Sequence, residues 1–169
     1  MMKVTIAIAC ILSCYPAEGR AAPMVGELAP PLAVPAVGGG RFDLSALRGK
    51  VVVINYWATW CSPCRTEMPA LDAFYARFHD RGVELIGISV DRTRDREDVL
   101  RAARTVRYPV AIVGDATADG FGKPATLPTT YVIDRAGIVR IVMTPGANPL
   151  TEDALERALV PLLARDPER

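Results

Sequence analysis

Runs of apolar residues divide the chain into short blocks. Val51-Val52-Val53-Ile54-Asn55-Tyr56 is β-branched and uncharged, which predicts a strand buried on both faces. From Ser62 to His79 the positions Cys64, Met68, Leu71, Tyr75 and Phe78 recur at steps of three and four, the spacing of a helix with one buried stripe. Pro63 falls in its first turn, where a missing N–H costs nothing; Pro69 falls inside and is expected to kink it. Glu84 to Val90 reads as a second buried strand and Asp95 to Val106 as a second helix, acidic early and basic late as the helix dipole prefers. Tyr108 to Val113 is a third strand with Pro109 near its start. Thr130 to Asp134 and Ile138 to Met143 pair across Arg135-Ala136-Gly137 as a hairpin. Thr151 caps a last helix to Leu163, with Ala154 opening its apolar face. Strand, helix, strand, helix, strand, hairpin, helix predicts an α/β fold: a mixed central sheet with helices on both faces.

The ends of the chain read differently. Met24 to Gly40 is rich in Pro, Gly and Ala and reads as an arm and turn leading into Arg41-Phe42-Asp43-Leu44. Before it, Val4 to Tyr15 (VTIAIACILSCY) carries no charge and follows Lys3. That length suits a signal-peptide core better than a membrane span. Residues 1–22 are therefore expected to be a signal peptide cleaved near Ala21 or Ala22, an uncleaved anchor through residues 4–15, or a lipoprotein leader. Ile11-Leu12-Ser13-Cys14 resembles a lipobox that would lipidate Cys14. Each places residues 23–169, expected to form one domain, outside the cytoplasm, in a periplasmic or similar compartment where disulfides persist.

Composition narrows the class. Hydrophobic residues are 50% and charged residues 23% of the 169, with 20 Lys plus Arg against 19 Asp plus Glu. This is a folded chain, and its balanced charge gives no footprint for nucleic acid. Arg101, Arg104 and Arg107 read as a solvated face, Glu67 as a surface acid, and Phe74 and Tyr75 as core and near-core packing. Met143 to Pro149 is a loop that could flank a site.

The chemistry gathers at Trp57-Ala58-Thr59-Trp60-Cys61-Ser62-Pro63-Cys64-Arg65, directly after a strand and opening a helix. There the free N–H groups and the positive dipole end stabilise a thiolate on the first cysteine. Cys61 is expected to be the exposed nucleophile and Cys64, one turn in, the buried resolving thiol. Pro63 stiffens the small ring between them. Trp57 and Trp60 offer flat apolar surface where an unfolded chain could dock. Half of a zinc site is the bland reading of a Cys-x-x-Cys. Zinc needs two more ligands, and beyond the N-terminal segment the chain has no further Cys and only His79. His79 itself suits a helix C-terminus better than catalysis.

The run from Gly49 to Leu71, GKVVVINYWATWCSPCRTEMPAL, resembles the thioredoxin-fold family. More narrowly it is similar to the exported TlpA/ResA-like thiol–disulfide oxidoreductases, a group that includes cytochrome c maturation reductants. Gly26 to Pro30, Leu44 to Gly49 and Leu127 to Asp134 carry the same resemblance. It implies a three-layer α/β/α thioredoxin-like fold. It also implies a cis-proline loop at Leu127-Pro128-Thr129, with Pro128 facing the cysteines and the Leu127 backbone pairing with a substrate strand. Asn55 stands where thioredoxins carry a buried Asp that helps deprotonate the resolving Cys. Asn cannot take a proton, and Asp91 is the nearest candidate replacement.

The expected activity is exchange between Cys61–Cys64 and disulfides in protein substrates such as apocytochrome c, without metal or organic cofactor. A membrane electron donor would refill the pair. Ser62-Pro63 and the absence of a His between the cysteines favour a reductant. A disulfide oxidase or isomerase is the alternative, followed by a non-enzymatic chaperone or metal-carrier module.

Overall fold

The computed structural model describes residues 22–146 and 150–164. The expected leader, residues 4–15 and Cys14 included, lies outside them. Among the described residues no helix is long and apolar enough to cross a membrane.

The apolar run after Lys50 forms β3 (Val51–Trp57), with every residue buried, so it must lie inside a sheet. It pairs parallel with β4 (Val83–Ser89) on one side and antiparallel with β7 (Thr129–Ile133) on the other. β5 (Val110–Ile112) extends the sheet beyond β4, and β8 (Val139–Met143) beyond β7, giving the order β5-β4-β3-β7-β8. This is the expected mixed sheet, hairpin included.

Three helices follow the predicted blocks. The first, α1 (Ser62–Phe78), runs as one 17-residue helix with Pro69 inside it. Its buried stripe is Cys64, Met68, Leu71, Phe74 and Phe78, so Phe74 rather than Tyr75 holds the core position. α2 spans Arg96–Ala103, shorter than expected. α3 (Glu152–Leu163) is capped by the Thr151 side chain, which accepts from the Ala154 N–H at 3.1 Å, and buries Leu155, Leu159 and Leu162.

Period-two alternation along β3 splits the core. Val51, Val53 and Trp57 join the buried side chains of α1, α2 and α3 on one face. Val52, Ile54 and Tyr56 face the other way, against Leu32, Val34, Phe42, Leu44 and Phe121. The mixed sheet and α/β class are as expected, with one difference in the covering layer. The second face is covered by a small three-stranded sheet and the 3-10 turn Leu44–Leu47, where a helix was expected. β1 is Leu32–Pro35, β2 Arg41–Asp43 and β6 Ala118–Asp119. The Pro- and Gly-rich arm is thus partly a strand, its backbone paired through Ala33↔Asp43 and Leu32↔Asp119.

Candidate active site

The site forms where β3 ends and α1 begins. The backbone turns at Ala58 to Trp60, and the Cys61 N–H donates to the Ala58 carbonyl at 3.1 Å. Cys61 is the N-cap of α1, with Ser62 and Pro63 in the first turn. Cys61 and Cys64 are joined as a disulfide with Cα atoms 5.3 Å apart. The Cys64 N–H points at Cys61 Sγ, at 3.3 Å. Cys61 thus replaces the usual Ser or Asp cap with sulfur, and one of the orphan amides of the helix start is aimed at the atom that would carry thiolate charge.

Two expectations about exposure, those for Cys61 and Trp57, are corrected. Cys61 is 6% exposed, not open, whereas Cys64, 2% exposed, is buried as expected. Capping the helix turns the Cys61 side chain inward, and both sulfurs join the core cluster of Trp57, Met68 and Leu71. Trp57 is 1% exposed and offers no docking surface. It is the last residue of a strand buried on both faces, and its indole lies over Gly87, where an added Cβ would come within 3.1 Å of Nε1. Trp60 is the opposite case: it is 69% exposed and stands on the turn immediately before Cys61. Ser62 and Pro63 are also exposed, so the accessible rim beside the disulfide is Trp60, Ser62 and Pro63.

The Leu127–Pro128 peptide bond is cis. Pro128 is buried and Leu127 half-buried, and Leu127 packs against the cluster that holds the cysteines. The turn holding them is fixed by Thr129 Oγ1, which donates to the Thr126 carbonyl at 2.7 Å.

Three acid or amide positions near the site resolve differently. Asn55 is 2% exposed, and its Nδ2 donates to Thr130 Oγ1 at 2.9 Å, a bond across the directly paired strand positions Asn55↔Thr130. It is a satisfied sheet residue. Asp91 is 5% exposed, and its carboxylate accepts from the Thr59 N–H at 2.9 Å, the Thr59 hydroxyl at 2.7 Å and the Ser89 hydroxyl at 2.7 Å. Its partners are therefore the turn before Cys61 and the end of β4.

Glu67 is the residue that sequence reasoning misplaced. It is half-buried, not a surface acid, and its Oε2 is enclosed without a partner. Burial pushes its carboxyl up to about 7, against the opposing pull of the Leu150 N–H. Leu150 itself is buried in the cysteine cluster, and so is Met143, where the loop expected to flank the site begins. Residues 147–149 lie outside the described residues. Glu67 follows Cys64 by three positions in α1, which places both on one helix face. The available signal was that spacing, together with an acid set beside a buried stripe.

The remaining groups take ordinary places. Arg107 Nη2 pairs with Asp72 at 2.8 Å and Arg101 pairs with Asp98. His79 ends α1, its Nδ1 3.6 Å from Glu84 Oε2.

Comparison with known proteins agrees with this geometry. Residues 25–142 match the AhpC/TSA family. The chain is 34% identical over 115 residues to a thiol-disulfide oxidoreductase ResA of Bacillus cereus, a match covering 68% of this chain and 66% of that one. The match to the ResA of Geobacillus kaustophilus is 30% identical and covers 83% of this chain and 79% of the relative. Among solved structures, a protein disulfide isomerase of Bacteroides thetaiotaomicron, described as putative, superposes with a TM-score of 0.71 at 31% identity, over 84% of this chain and 91% of that one. A thiol:disulfide interchange protein DsbE of Chlorobium tepidum, also described as putative, gives 0.66 at 27% identity over 83% and 99%.

Proposed function

Since the chain belongs to the AhpC/TSA family and has a thioredoxin-like fold, we propose that it is a thiol–disulfide oxidoreductase that reduces disulfides in extracytoplasmic proteins. The observation that carries this reading is the Cys61–Cys64 disulfide at the start of α1, with the Cys64 amide aimed at Cys61 Sγ.

The chemistry follows from that arrangement. In the reduced protein the Cys61 thiolate attacks one sulfur of the substrate disulfide. An S–S bond forms between Cys61 and that sulfur, the substrate S–S bond breaks, and the departing thiolate takes a proton. Cys64 then gives up its proton and attacks Cys61 Sγ. The second substrate sulfur leaves as a thiolate, and the Cys61–Cys64 disulfide remains. Two electrons have passed from the pair to the substrate. Glu67, on the same helix face as Cys64 and titrating at about 7, is the group suited to receive the Cys64 proton. Exposed Trp60 and half-buried Leu127 supply apolar contact for an unfolded segment, and the backbone beside Pro128 supplies the polar contact. Neither metal nor organic cofactor is needed.

A secreted setting is supported by the uncharged stretch from Val4 to Tyr15 that follows Lys3. In such a compartment a reductant needs a membrane donor to refill it. Apocytochrome c is the substrate we favour; oxidase or isomerase activity is the competing direction.

The test is trapping. Cys64→Ser should accumulate mixed disulfides through Cys61, because the resolving attack is lost. Cys61→Ser should accumulate none. Equal trapping by both variants on a diagonal gel would overturn the assignment of nucleophile and resolver.

A further inference from the structure

We propose that Asp91 is a positioning residue for Cys61. Its carboxylate clamps the turn that presents the nucleophile and sets a fixed negative charge behind it, which limits how far the thiolate is stabilised. The proposal rests on the thiol–disulfide reading above and concerns the reactivity of the same site.

The clamp is complete in hydrogen-bond terms. Asp91 Oδ2 accepts from the Thr59 N–H at 2.9 Å and from Ser89 Oγ at 2.7 Å, and Oδ1 accepts from Thr59 Oγ1 at 2.7 Å. Ser89 Oγ also accepts from the Asp91 N–H at 3.0 Å, which leaves its own hydrogen free for the carboxylate. Each of these groups can donate to the carboxylate, so both of its oxygens are met by hydrogen-bond partners. A second tie lies beside it, the Val90 N–H donating to the Trp57 carbonyl at 2.9 Å. Together they anchor the backbone on either side of Ala58, the residue whose carbonyl receives the Cys61 N–H. Trp60, the exposed residue of the rim, is carried on the same turn.

The charge is uncompensated. Asp91 is 5% exposed and makes no ion pair among the described residues; its three donors are neutral. Thr59 lies two Cα steps before Cys61, a span of at most about 7.6 Å. A unit negative charge hydrogen-bonded to Thr59 opposes a second negative charge on Cys61, an effect on the order of half a unit to one unit of thiol pKa in protein surroundings. The helix start acts in the opposite direction. The balance leaves Cys61 less acidic than the helix alone would make it. A less stabilised thiolate means a less stabilised reduced form, and so a more reducing pair.

Two variants separate charge from clamp. Asp91→Asn keeps the shape. With its Oδ1 in the place of Oδ2 it still accepts from the Thr59 N–H and Ser89, and its Nδ2 donates to Thr59 Oγ1, which can accept. Thr59→Val keeps the charge and removes one hydroxyl bond. The measurements, made on the full chain, are Cys61 alkylation rate against pH and the glutathione equilibrium of the pair. Asp91→Asn should lower the Cys61 pKa by about half a unit to one unit and shift the equilibrium about three- to tenfold toward the dithiol. Thr59→Val should leave that pKa near the parent value.

A merely structural Asp91 would lower the melting temperature of both variants and move neither the pKa nor the equilibrium. That outcome overturns the proposal. So does an Asp91→Asn variant with an unchanged Cys61 pKa in which only the Cys64 resolution step is slowed, since it would make Asp91 a proton acceptor for Cys64. If the oxidoreductase reading itself were wrong, the parent chain would fail to reduce insulin, while the comparison of Cys61 pKa values could still be made.

Discussion

Two carboxyl groups flank the cysteine turn, and their surroundings set them different tasks. Asp91 is enclosed by donors, whereas Glu67 Oε2 is enclosed by none. Burial lifts the Glu67 carboxyl from 4.5 to about 7, so the sign of its effect on stability is the reverse of a salt-bridged acid. Between pH 4.5 and about 7 the folded chain keeps a proton that the unfolded chain has lost. Stability therefore falls as pH rises through that window and levels off above it. Glu67→Gln should flatten this slope, gaining in urea midpoint at pH 8 and changing little at pH 4. The same variant should slow resolution of the mixed disulfide by about a hundredfold, the lower end of the range general acid–base groups contribute. An unchanged release rate would remove Glu67 from the proton path. The Cys-x-x-Cys pair was legible from residue order alone, because helix starts and thiolates are linked locally. Glu67 was not: its burial is a tertiary matter and its backbone partner, Leu150, lies 83 positions away in sequence, and the apolar stripe of α1 says nothing about what descends upon it.

At the scale of elements, β3, β4, α1 and the β7–β8 hairpin could be read from periodicity because each is long and buried in a regular pattern. β1, β2 and β6 are only 4, 3 and 2 residues long, too short for a period to show, and Pro35 and Gly38 to Gly40 hide the first of them. The docking role expected of Trp57 failed for a related reason. A tryptophan ending a strand looks available until the neighbouring strand is known. Gly87 on β4 leaves the space its ring fills, and an added Cβ there would also come within 3.1 Å of Tyr108. Gly87→Ala should cost about 1–3 kcal/mol through overpacking. Combining it with Trp57→Phe should recover part of that, as a coupling of about 1 kcal/mol in a double-mutant cycle. Strict additivity in denaturant titrations would show that the two residues do not share this space. At the other end of the chain, Thr151→Ala should cost about 1 kcal/mol by leaving the Ala154 amide without its cap, read in the same titrations.

For the whole molecule, the direction of electron flow is also a statement about folding. Consider a cycle joining folded and unfolded chain, each with the pair as disulfide or dithiol. The difference in stability between oxidised and reduced protein must equal the difference in potential between the unfolded and folded pair. For a two-electron couple about 30 mV corresponds to 1.4 kcal/mol. A strong oxidant is built by stabilising its reduced form, so its reduced chain is the more stable one. Here the stabilisation available to a Cys61 thiolate is modest. Pro63 lacks an N–H, Ser62 is exposed, the Cys64 amide sits 3.3 Å from the sulfur, and Asp91 opposes negative charge. Both sulfurs meanwhile lie inside the core cluster, where a neutral disulfide is better placed than an anion. The oxidised chain should therefore resist denaturant more strongly than the reduced chain. The folded pair should sit below its own unfolded potential, nearer to thioredoxin at about −270 mV than to DsbA at about −120 mV. Paired urea titrations of the two redox forms, with the glutathione equilibrium of the folded pair, measure this directly. A reduced form that outlasts the oxidised one would reverse the direction of electron transfer and make the protein an oxidase.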